Sequence, residues 1–423
     1  MTKTYAEFQH AWRELATLPA GALLNRDERD LVHLTLERYW NDGSPSGHSL
    51  GMPVRWAPAS PAPSFRIPII LAPADLVTVV EDLSEASILV ERTSDALHQV
   101  FALHPRMRNV LAKQQLLPGD RNSDSQLRVV PTSSGRTVAV LDASGFRIRY
   151  YLKLAYPDTL GRFGRDLSLF KWLSSIERNR MFFDAIGGGD AIRFFPEASG
   201  SYLELMGVSH GVGFLLRSMP MGHNPDEHLV VPAFSLWAAP ASGDETILDA
   251  LVRRLGWTSA DARHFLIDNV VDTYLYLAVD HGLMPELNAQ NLLFVIGKDG
   301  SCVPCLRDMQ DVFVDDVIRA RRGLSVGGVA YKRLNVVSPD LRERRSFSFD
   351  FKLGEYILDP LANIVGRNDR ARREIRQGVR EKVRQKLVAH PDYWPSNNTW
   401  FRYANKPGLS RFDYDRHERP RWR

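Results

Sequence analysis

A turn rich in hydroxyl groups, Pro131-Thr132-Ser133-Ser134-Gly135-Arg136-Thr137, is the first segment whose residues could do chemistry. Its backbone N–H groups and short hydroxyl donors suit the oxygens of a phosphate, and Arg136 could add a bidentate contact. Turns rich in serine and glycine also join strands without any ligand. The segment therefore predicts either a phosphate-binding turn or an ordinary polar hairpin.

Lys153 lies in a mostly apolar stretch, Tyr150-Tyr151-Leu152-Lys153-Leu154, in a chain with only ten lysines among its 54 basic residues. An unpaired ammonium group inside such a strand would be costly, so Lys153 needs an anionic partner. That partner is an anionic ligand or a structural carboxylate, unless the side chain extends its ammonium group to solvent. A compact point charge of this kind suits a phosphate at close range.

A second group of polar residues surrounds a predicted hairpin. Glu286 and Asn291 precede the strand Leu292–Ile296, and the returning strand ends at Arg307-Asp308. This path should bring Asn291 and Asp308 side by side, with Glu286 near them. Carboxylate and amide oxygens suit Mg²⁺, so the three side chains predict a site for Mg²⁺ held between protein and phosphates. The alternative is that these side chains cap loops.

These segments, in this order, resemble the motif series of the IucA/IucC-type synthetases, the siderophore synthetases that are independent of nonribosomal peptide synthetases (NIS synthetases). The match covers roughly residues 100 to 310. Its most specific parts are the Ser-x-Arg-Thr segment and the Gln-Asn and Arg-Asp pairs. The matching segments are Ala102-Leu103-His104-Pro105, Pro131–Thr137, Lys153-Leu154, Glu286-Leu287-Asn288-Ala289-Gln290-Asn291 and Arg307-Asp308, with weaker echoes in Gly213–Arg217 and Lys406–Arg411.

The resemblance implies a fold and an activity. The fold would be α+β and shaped like a cupped hand, with a small antiparallel sheet in the fingers and a mostly helical palm. The domains would be a reduced thumb-like domain at 1–125, ATP-binding fingers at 126–235 and a palm with the nucleotide and Mg²⁺ site at 236–423. The activity would be an ATP- and Mg²⁺-dependent ligation: a carboxylate, often of citrate, becomes an acyl-adenylate, and an amine or hydroxyl then displaces AMP. Its partners would be these small molecules, and we allow for a homodimer.

The resemblance also assigns roles residue by residue. The residues expected to bind the ATP phosphates are Ser134, Arg136, Thr137, Lys153 and Arg165, with Arg162 left open beside Arg165. Those expected to line the nucleotide–Mg²⁺ site are Glu286, Asn288, Gln290, Asn291 and Asp308, among which Glu286, Asn291 and Asp308 would be the metal ligands. Arg136, Lys153 and Asp308 would be catalytic, because attack of a carboxylate on the α-phosphate brings anions together and requires fixed positive charge and a metal.

Three features depart from the family pattern. Asn288 stands where the family has a histidine, and an asparagine can donate a hydrogen bond but cannot carry charge or shuttle a proton. The chain is short for the family in its N-terminal region. The early motif rich in Gly, His and Pro is not recognisable, since Gly43–His48 is a poor substitute. These departures put siderophore substrates in doubt.

Two other classes compete with a ligase. A small-molecule kinase of the aminoglycoside-phosphotransferase type would also place His281-Gly282 at a helix end, Glu286 five residues before Asn291, and Asp308 after a hairpin. Against it, the carboxylate does not follow His-Gly directly, and the turn at 134–137 is unlike a kinase glycine-rich loop. The third class is a non-catalytic nucleotide-binding relative.

Composition excludes several functions. The 54 basic and 50 acidic residues leave a net charge of +4, which is weak support for a nucleic-acid partner. No segment approaches a membrane span, the N-terminus has no signal-peptide core, and two cysteines favour a reducing cytoplasm. Cys302 and Cys305 have redox-like spacing but lie in a predicted strand, which favours a structural role. The basic segment 367–386 favours a surface helix over an RNA contact.

The elements that must position these residues follow from periodicity and turn residues. The first hundred residues predict helices around one short strand, and from 240 onward helices dominate. A long helix is expected to be capped by Ser259 and to end at Gly282. The other predicted strands are 67–71, 127–130, 138–141, 147–154, 202–206, 212–217, 292–296 and the strand returning to 306, and the other predicted helices include 74–83, 167–178 and the helix through Ala371 and Leu387.

Overall fold

The structure is a computed structural model of the 423-residue chain. The residues that it describes are 29–40, 52–58, 60, 62, 64–80, 98–117, 126–142, 147–160, 163–187, 191–205, 212–238, 246–326, 340–397 and 419–423. Three of the segments discussed above lie outside these residues: Gly43–His48, Arg162 and Lys406–Arg411.

Sixteen strands among the described residues form one large sheet, one four-stranded sheet and two strand pairs. In chain order they are β1 (Phe65–Pro73), β2 (Val77–Val80), β3 (His98–Ala102), β4 (Gln126–Pro131), β5 (Thr137–Leu141), β6 (Ile148–Leu154), β7 (Thr159–Leu160), β8 (Phe163–Gly164), β9 (Arg193–Phe194), β10 (Ser199–Leu203), β11 (Val212–Ser218), β12 (His228–Pro232), β13 (Leu283–Met284), β14 (Leu292–Gly297), β15 (Cys302–Leu306) and β16 (Phe313–Val314).

The large sheet has eight antiparallel strands in the order β2-β10-β11-β6-β5-β4-β1-β3. Strands β6 and β11 lie inside it, and almost every residue along them is buried. Such strands are covered on both faces, so a charged residue within them has to find its partners inside the protein. Lys153 is that residue on β6, opposite Thr137 of β5 and Leu215 of β11.

The four-stranded sheet has the order β12-β14-β15-β9 and contains the predicted hairpin. Leu292 of β14 lies opposite Leu306 of β15, and the backbone N–H of Arg307 donates to the carbonyl of Asn291 at 3.0 Å. The predicted hairpin is confirmed, and it brings Asn291 opposite Arg307, one position before Asp308.

Helices follow mainly after residue 240, as the periodicity predicts. The α-helices are α1 (Arg29–Tyr39), α2 (Pro105–Lys113), α3 (Leu169–Ile186), α4 (Ile247–Leu255), α5 (Ser259–Arg263), α6 (Asn269–Leu275), α7 (Asp316–Arg321), α8 (Leu341–Ser346), α9 (Asp359–Val365) and α10 (Asp369–Ala389). The remaining helical segments are π-helical at His264–Asp268, Tyr276–Asp280 and Phe347–Leu358 and 3₁₀ at Val54–Trp56, Ala74–Leu76, Ala233–Ser235, Met309–Asp311 and Pro391–Tyr393.

The long helix that leads to the candidate site has its cap one residue earlier than predicted. Thr258, not Ser259, is the cap: its hydroxyl accepts the backbone N–H of Asp261 at 3.1 Å, and the Asp261 carboxylate accepts the backbone N–H of Thr258 at 2.8 Å. The helix continues through both π-helical segments to Asp280. Gly282 follows with φ of +62°, the left-handed conformation that reverses the chain.

The N-terminal third differs from the prediction of helices around one strand. It supplies β1, β2 and β3, and these three strands extend the sheet that residues 126–218 begin. The sheet is therefore large, and the expectation of a small one is wrong. The predicted helix 74–83 is also wrong, because Val77-Thr78-Val79-Val80 is rich in β-branched residues and pairs with β10 as a strand. The α+β class is confirmed, and the three-domain division stays a prediction.

The structure agrees with a structural role for the two cysteines and with a surface helix for the basic segment 367–386. Cys302 and Cys305 are free, buried thiols whose side chains enter different hydrophobic clusters, and burial raises the pKa of both. Helix α10 buries only its apolar stripe, and its lysines pair across the surface, with Lys382 2.7 Å from Asp272. Among the described residues, no helix is both long and apolar enough to cross a membrane.

His104 is a fully buried histidine that starts α2. Its Nδ1 accepts the backbone N–H of Arg106 at 3.1 Å, and its ring packs edge-on against Trp56 and Tyr156. Burial lowers the pKa of His104 from 6.5 to about 3, although Asp158 acts weakly in the opposite direction. The fold therefore holds the neutral imidazole.

This neutral histidine predicts a loss of stability in acid. As the pH falls below about 6.5, the unfolded chain binds a proton at residue 104 and the folded chain does not, so stability declines progressively toward pH 3. At pH 5 this group costs about 2 kcal/mol. We expect His104→Asn, whose amide oxygen can accept the same N–H, to lose about 2 kcal/mol less than the wild type between pH 7 and pH 5 in urea unfolding. Equal losses in the two proteins would contradict the assignment.

Candidate active site

The polar turn between β4 and β5 is closed by its own hydrogen bonds. The backbone N–H and hydroxyl of Thr132 donate to the carbonyl of Thr137 at 3.2 and 2.8 Å, and the hydroxyl of Ser134 accepts the backbone N–H of Thr137 at 2.9 Å. Gly135 adopts φ of +70°, and a Cβ there would lie 2.9 Å from Cε of Met52. The positive φ therefore favours glycine at this position. The hydroxyl of Ser134 accepts a hydrogen bond and can also donate its own hydrogen.

Lys153 and Asp308, both predicted to be catalytic, form an ion pair. Nζ of Lys153 donates to Oδ1 of Asp308 at 2.5 Å. The lysine side chain is 1% exposed and that of the aspartate 24%. The pair links the middle of the eight-stranded sheet to the end of the hairpin in the four-stranded sheet. The two sequence clusters therefore meet at one place.

A second carboxylate, Glu197, lies on the other side of the lysine. Its Oε2 is 3.4 Å from Nζ of Lys153, and its Oε1 accepts Nε of Arg217 at 2.8 Å and the neighbouring NH2 of the same guanidinium. Burial alone would lower the pKa of Arg217, but Glu197 and Asp308 raise it above its usual value. Two cations and two carboxylates thus form a buried cluster of four charges, in which each cation has an anionic neighbour.

Asp308 has the most unusual backbone in this cluster. It lies two residues beyond the end of β15, with φ of +65° and ψ of 72°, a left-handed conformation that is uncommon outside glycine, asparagine and aspartate. Burial would raise the pKa of its carboxyl, but Lys153, Arg217 and Arg136 lower it far below its ordinary range. The carboxylate is therefore ionised throughout the physiological pH range.

Arg136 points from the turn toward the same cluster. One of its NH groups donates to the carbonyl of Arg165 at 3.0 Å, and the other lies 3.4 Å from Oε1 of Gln310. Arg136 is thus aimed at the segment that follows Asp308, in agreement with its lowering of the pKa of Asp308. Arg165, which was predicted to bind phosphate, contributes its backbone carbonyl, which accepts this hydrogen bond from Arg136. Its expected contact with phosphate stays a prediction.

The segment 288–291 is a tight turn built on the asparagine that replaces the family histidine. Oδ1 of Asn288 accepts the backbone N–H groups of Gln290 and Asn291 at 2.9 and 3.0 Å. The amide of Asn291 donates to the carbonyl of Glu286 at 3.2 Å. Asn288 therefore caps the loop through its side chain, and its predicted place in the lining of the nucleotide site stays a prediction.

Glu286 is paired with a lysine that the sequence did not single out. Nζ of Lys352 bonds Oε1 of Glu286, and the ammonium lies over the rings of Phe347 and Tyr356 at 5.4 and 5.5 Å from their centroids. Lys352 belongs to the π-helical segment Phe347–Leu358. π-Helical turns often accompany functional sites because they redirect side chains.

The predicted metal ligands are oxygen donors that already have partners. Asp308 is bound by Lys153 and Glu286 by Lys352. Within the part of the chain that the structure describes, no group of three or more His, Cys, Asp or Glu side chains is arranged to hold a metal ion. Mg²⁺ binds through one or two carboxylates plus substrate phosphates, so this donor set fits Mg²⁺ only together with a phosphate ligand.

A fully buried carboxylate of α1, Glu37, joins the turn to the hairpin. It accepts the hydroxyl and the backbone N–H of Ser133 at 2.6 and 3.1 Å, and Arg307 donates to it at 2.5 Å. Nε of Arg307 donates to the carbonyl of Gln290 at 2.6 Å, and the amide of Gln290 lies 3.2 Å from Oγ of Ser133. Burial would raise the pKa of Glu37, but Arg307 and His33 lower it. This network orients the main chain on both sides of the site.

The sequence therefore missed part of the site. Lys153 predicted an anionic partner, and the structure supplies two, Asp308 and Glu197. Arg217 lay in a segment with a weak family echo but received no role. Glu37 and Lys352 also belong to the site, but no neighbouring residue in the sequence indicated it. Each resembles an ordinary charged residue on a helix.

No protein-family model matches the sequence, and no curated protein matches it. Solved structures do resemble it. The petrobactin biosynthesis protein AsbB from Bacillus anthracis strain Sterne aligns over 86% of this chain and 70% of its own, with 14% identity and a TM-score of 0.66. The ATP-bound aerobactin synthetase IucA from a hypervirulent Klebsiella pneumoniae aligns over 92% and 72%, with 19% identity and a TM-score of 0.62. The aerobactin synthetase IucC from the same pathotype aligns over 91% and 74%, with 16% identity and a TM-score of 0.64.

At these identities the likeness establishes the fold. The chain shares the α+β fold of these siderophore synthetases over most of its length. The family resemblance that the sequence motifs predicted is thereby confirmed at the level of fold.

The buried Glu37–Arg307 pair predicts a test of stability. Glu37→Ala or Arg307→Met should each lower the free energy of unfolding by about 3–5 kcal/mol, because each leaves an uncompensated charge in the interior. The double variant should lose less than the sum of the single losses, since it removes both charges. Urea unfolding measures all three, with Glu374→Ala, from an exposed pair on α10, as a control that should change little. Additive losses would show that the two side chains are not coupled.

Proposed function

We propose that the protein is an ATP-dependent ligase that activates a carboxylate as an acyl-adenylate and condenses it with an amine or hydroxyl. The observation that carries the proposal is the meeting of Lys153, Arg136 and Asp308 at one buried cluster, on a fold shared with an aerobactin synthetase solved with ATP bound. All three residues belong to the motifs on which the sequence resemblance rests.

The charges around Asp308 support a role in handling phosphates. Lys153, Arg217 and Arg136 are all close enough to Asp308 to lower its pKa, so three cations converge on one carboxylate. Fixed cations at a buried site stabilise the negative charge that develops on a departing pyrophosphate. They need no reorganisation during the reaction, because the sheet and the turn already hold them in place.

The proposed reaction assigns a task to each side chain. Arg136 and Lys153 orient the β- and γ-phosphates while the substrate carboxylate attacks the α-phosphorus, and they then stabilise the pyrophosphate that leaves. Asp308, together with Glu286 and Asn291, would hold Mg²⁺ against the phosphates, and that ion would supply further positive charge. The amine must be neutral when it attacks the acyl-adenylate.

Asn288 narrows the proposed chemistry. Its side-chain oxygen is used by two backbone N–H groups, and an amide cannot shuttle a proton. Proton removal from the amine is therefore assigned to another group or to solvent.

We further propose that both substrates are small molecules and that neither nucleic acid nor membrane is a partner. The free thiols Cys302 and Cys305 fit a reducing, cytoplasmic compartment.

One observation favours a kinase as the second candidate. A buried lysine between a carboxylate and a metal-binding aspartate also occurs in phosphotransferases, where the lysine holds the nucleotide phosphates. Lys153 between Glu197 and Asp308 has this arrangement. The products distinguish the two activities.

A prediction of the proposed function concerns these products. Incubated with Mg²⁺, ATP and pools of polycarboxylates and amines, the protein should release AMP and pyrophosphate, because the proposed bond breaks at the α-phosphate. Release of ADP would instead establish the kinase. Tight ATP binding without turnover in any pool would contradict both enzymes. Anion-exchange chromatography of the nucleotides separates these outcomes.

A second prediction concerns the central ion pair. Lys153→Ala and Asp308→Ala should each reduce turnover to background, because each removes a charge that acts on the phosphates. The matched controls are Lys382→Ala and Asp272→Ala, which break a pair of the same type on the surface. Pyrophosphate release measures activity, and circular dichroism verifies the fold. Near-wild-type activity in a folded Lys153 or Asp308 variant would show that the site is wrongly assigned.

A further inference from the structure

We propose that Glu197, held by Arg217, is a positioning residue that keeps the ammonium of Lys153 directed into the nucleotide site when Asp308 turns to a divalent cation. This inference rests on the proposed function. It adds Glu197 to the site, a residue to which neither the sequence motifs nor the proposed reaction gives a role, and it assigns to Arg217 the task of holding that carboxylate.

The first argument is that Asp308 cannot serve Lys153 and a metal equally well. Its Oδ1 lies 2.5 Å from the ammonium, which is the closest contact of the cluster to the lysine. A divalent cation bound to either oxygen of Asp308 would draw the negative charge of that carboxylate away from Lys153. Binding of Mg²⁺ and ATP would therefore weaken the ion pair between Asp308 and Lys153.

The second argument concerns the fate of the lysine after that exchange. Lys153 is 1% exposed and lies in an interior strand, where an ammonium without a partner is costly. Glu197 is the carboxylate that remains, with its Oε2 3.4 Å from Nζ. It can take over as the ion-pair partner after a small movement of one flexible side chain.

The third argument is that Glu197 is fixed, whereas Asp308 lies where movement is easier. Glu197 is 0% exposed, its backbone N–H donates to the buried side chain of Asn179 at 2.8 Å, and Arg217 binds its Oε1 with two N–H groups. Asp308 is 24% exposed and precedes a short 3₁₀ turn. Arg217 occupies one oxygen of Glu197 and leaves the other facing Lys153.

The fourth argument is charge balance. Lys153 and Arg217 together carry two positive charges, and Glu197 and Asp308 carry two negative ones. When Asp308 binds a cation, Glu197 still lies between the two basic side chains and separates their charges. A phosphate oxygen can then take the place of Asp308 beside Lys153, so that the number of ion pairs around the lysine stays the same.

The test is a double-mutant cycle on the binding of Mg²⁺-ATP, measured by titration calorimetry. In the wild-type background, Glu197→Gln should weaken binding about tenfold or more, the size of one lost charge-assisted hydrogen bond. In a Lys153→Met background the same change should have less than about a twofold effect, because Glu197 acts through the lysine. Glu227→Gln, which breaks a surface pair with Lys298, is the matched control and should leave binding unchanged.

The outcomes separate this inference from the proposed function. No binding of Mg²⁺-ATP by the wild type would overturn both. Normal wild-type binding with no loss in Glu197→Gln, or an equal loss in both backgrounds, would overturn only the role of Glu197, since a purely structural residue affects both backgrounds alike.

A variant that removes the charges of both Glu197 and Arg217 separates a loss of binding from a failure to fold. If Glu197→Gln unfolds because Arg217 is left unpaired, the cycle is repeated with Glu197→Gln combined with Arg217→Met, which should fold because it leaves no unpaired buried charge. Thermal melts verify the fold. Collapse of this double variant as well would show that the pair is structural and would overturn the proposal.

Discussion

The arrangement of the candidate site depends on one constraint: an ammonium group has been placed in the interior of a sheet. Lys153 has neighbouring strands on both sides and almost no contact with solvent, so the surrounding structure must supply negative charge at short range. It does so twice, with Asp308 from the hairpin and Glu197 from the segment before β10. Arg217 completes the balance by pairing with Glu197, so that two buried cations face two carboxylates.

Local patterns were enough to predict the framework of the site. The hydroxyl-rich turn, the strand that carries Lys153 and the hairpin that ends at Asp308 each have an apolar run bounded by turn residues. The lysine also indicated its own need for an anion, because its neighbours in sequence are apolar. That the two distant segments take part in one site was implied only by the resemblance to the NIS synthetases.

What could not be predicted is contact between residues that are far apart in the chain. Glu37 and Arg307 are separated by 270 positions, and nothing around either one signals the other. The strand Val77–Val80 has β-branched residues that favour a strand, but its pairing partner, β10, comes more than a hundred residues later and could not be identified from the local sequence. Asn288 shows the opposite case of a local contact. Its side-chain oxygen accepts the backbone N–H groups of Gln290 and Asn291, two and three residues later, and these two bonds make it a loop cap.

The position of Asp308 at the end of the hairpin has a mechanical consequence. The four-stranded sheet and the eight-stranded sheet are tied together at the site by Lys153 with Asp308 and, on the other flank, by Ser133 and Arg307 with Glu37. A ligand that draws Asp308 away from Lys153 would therefore remove one polar link between the sheets, while the link through Glu37 and the shared apolar cluster of Val130, Tyr151 and Val295 would still hold them together.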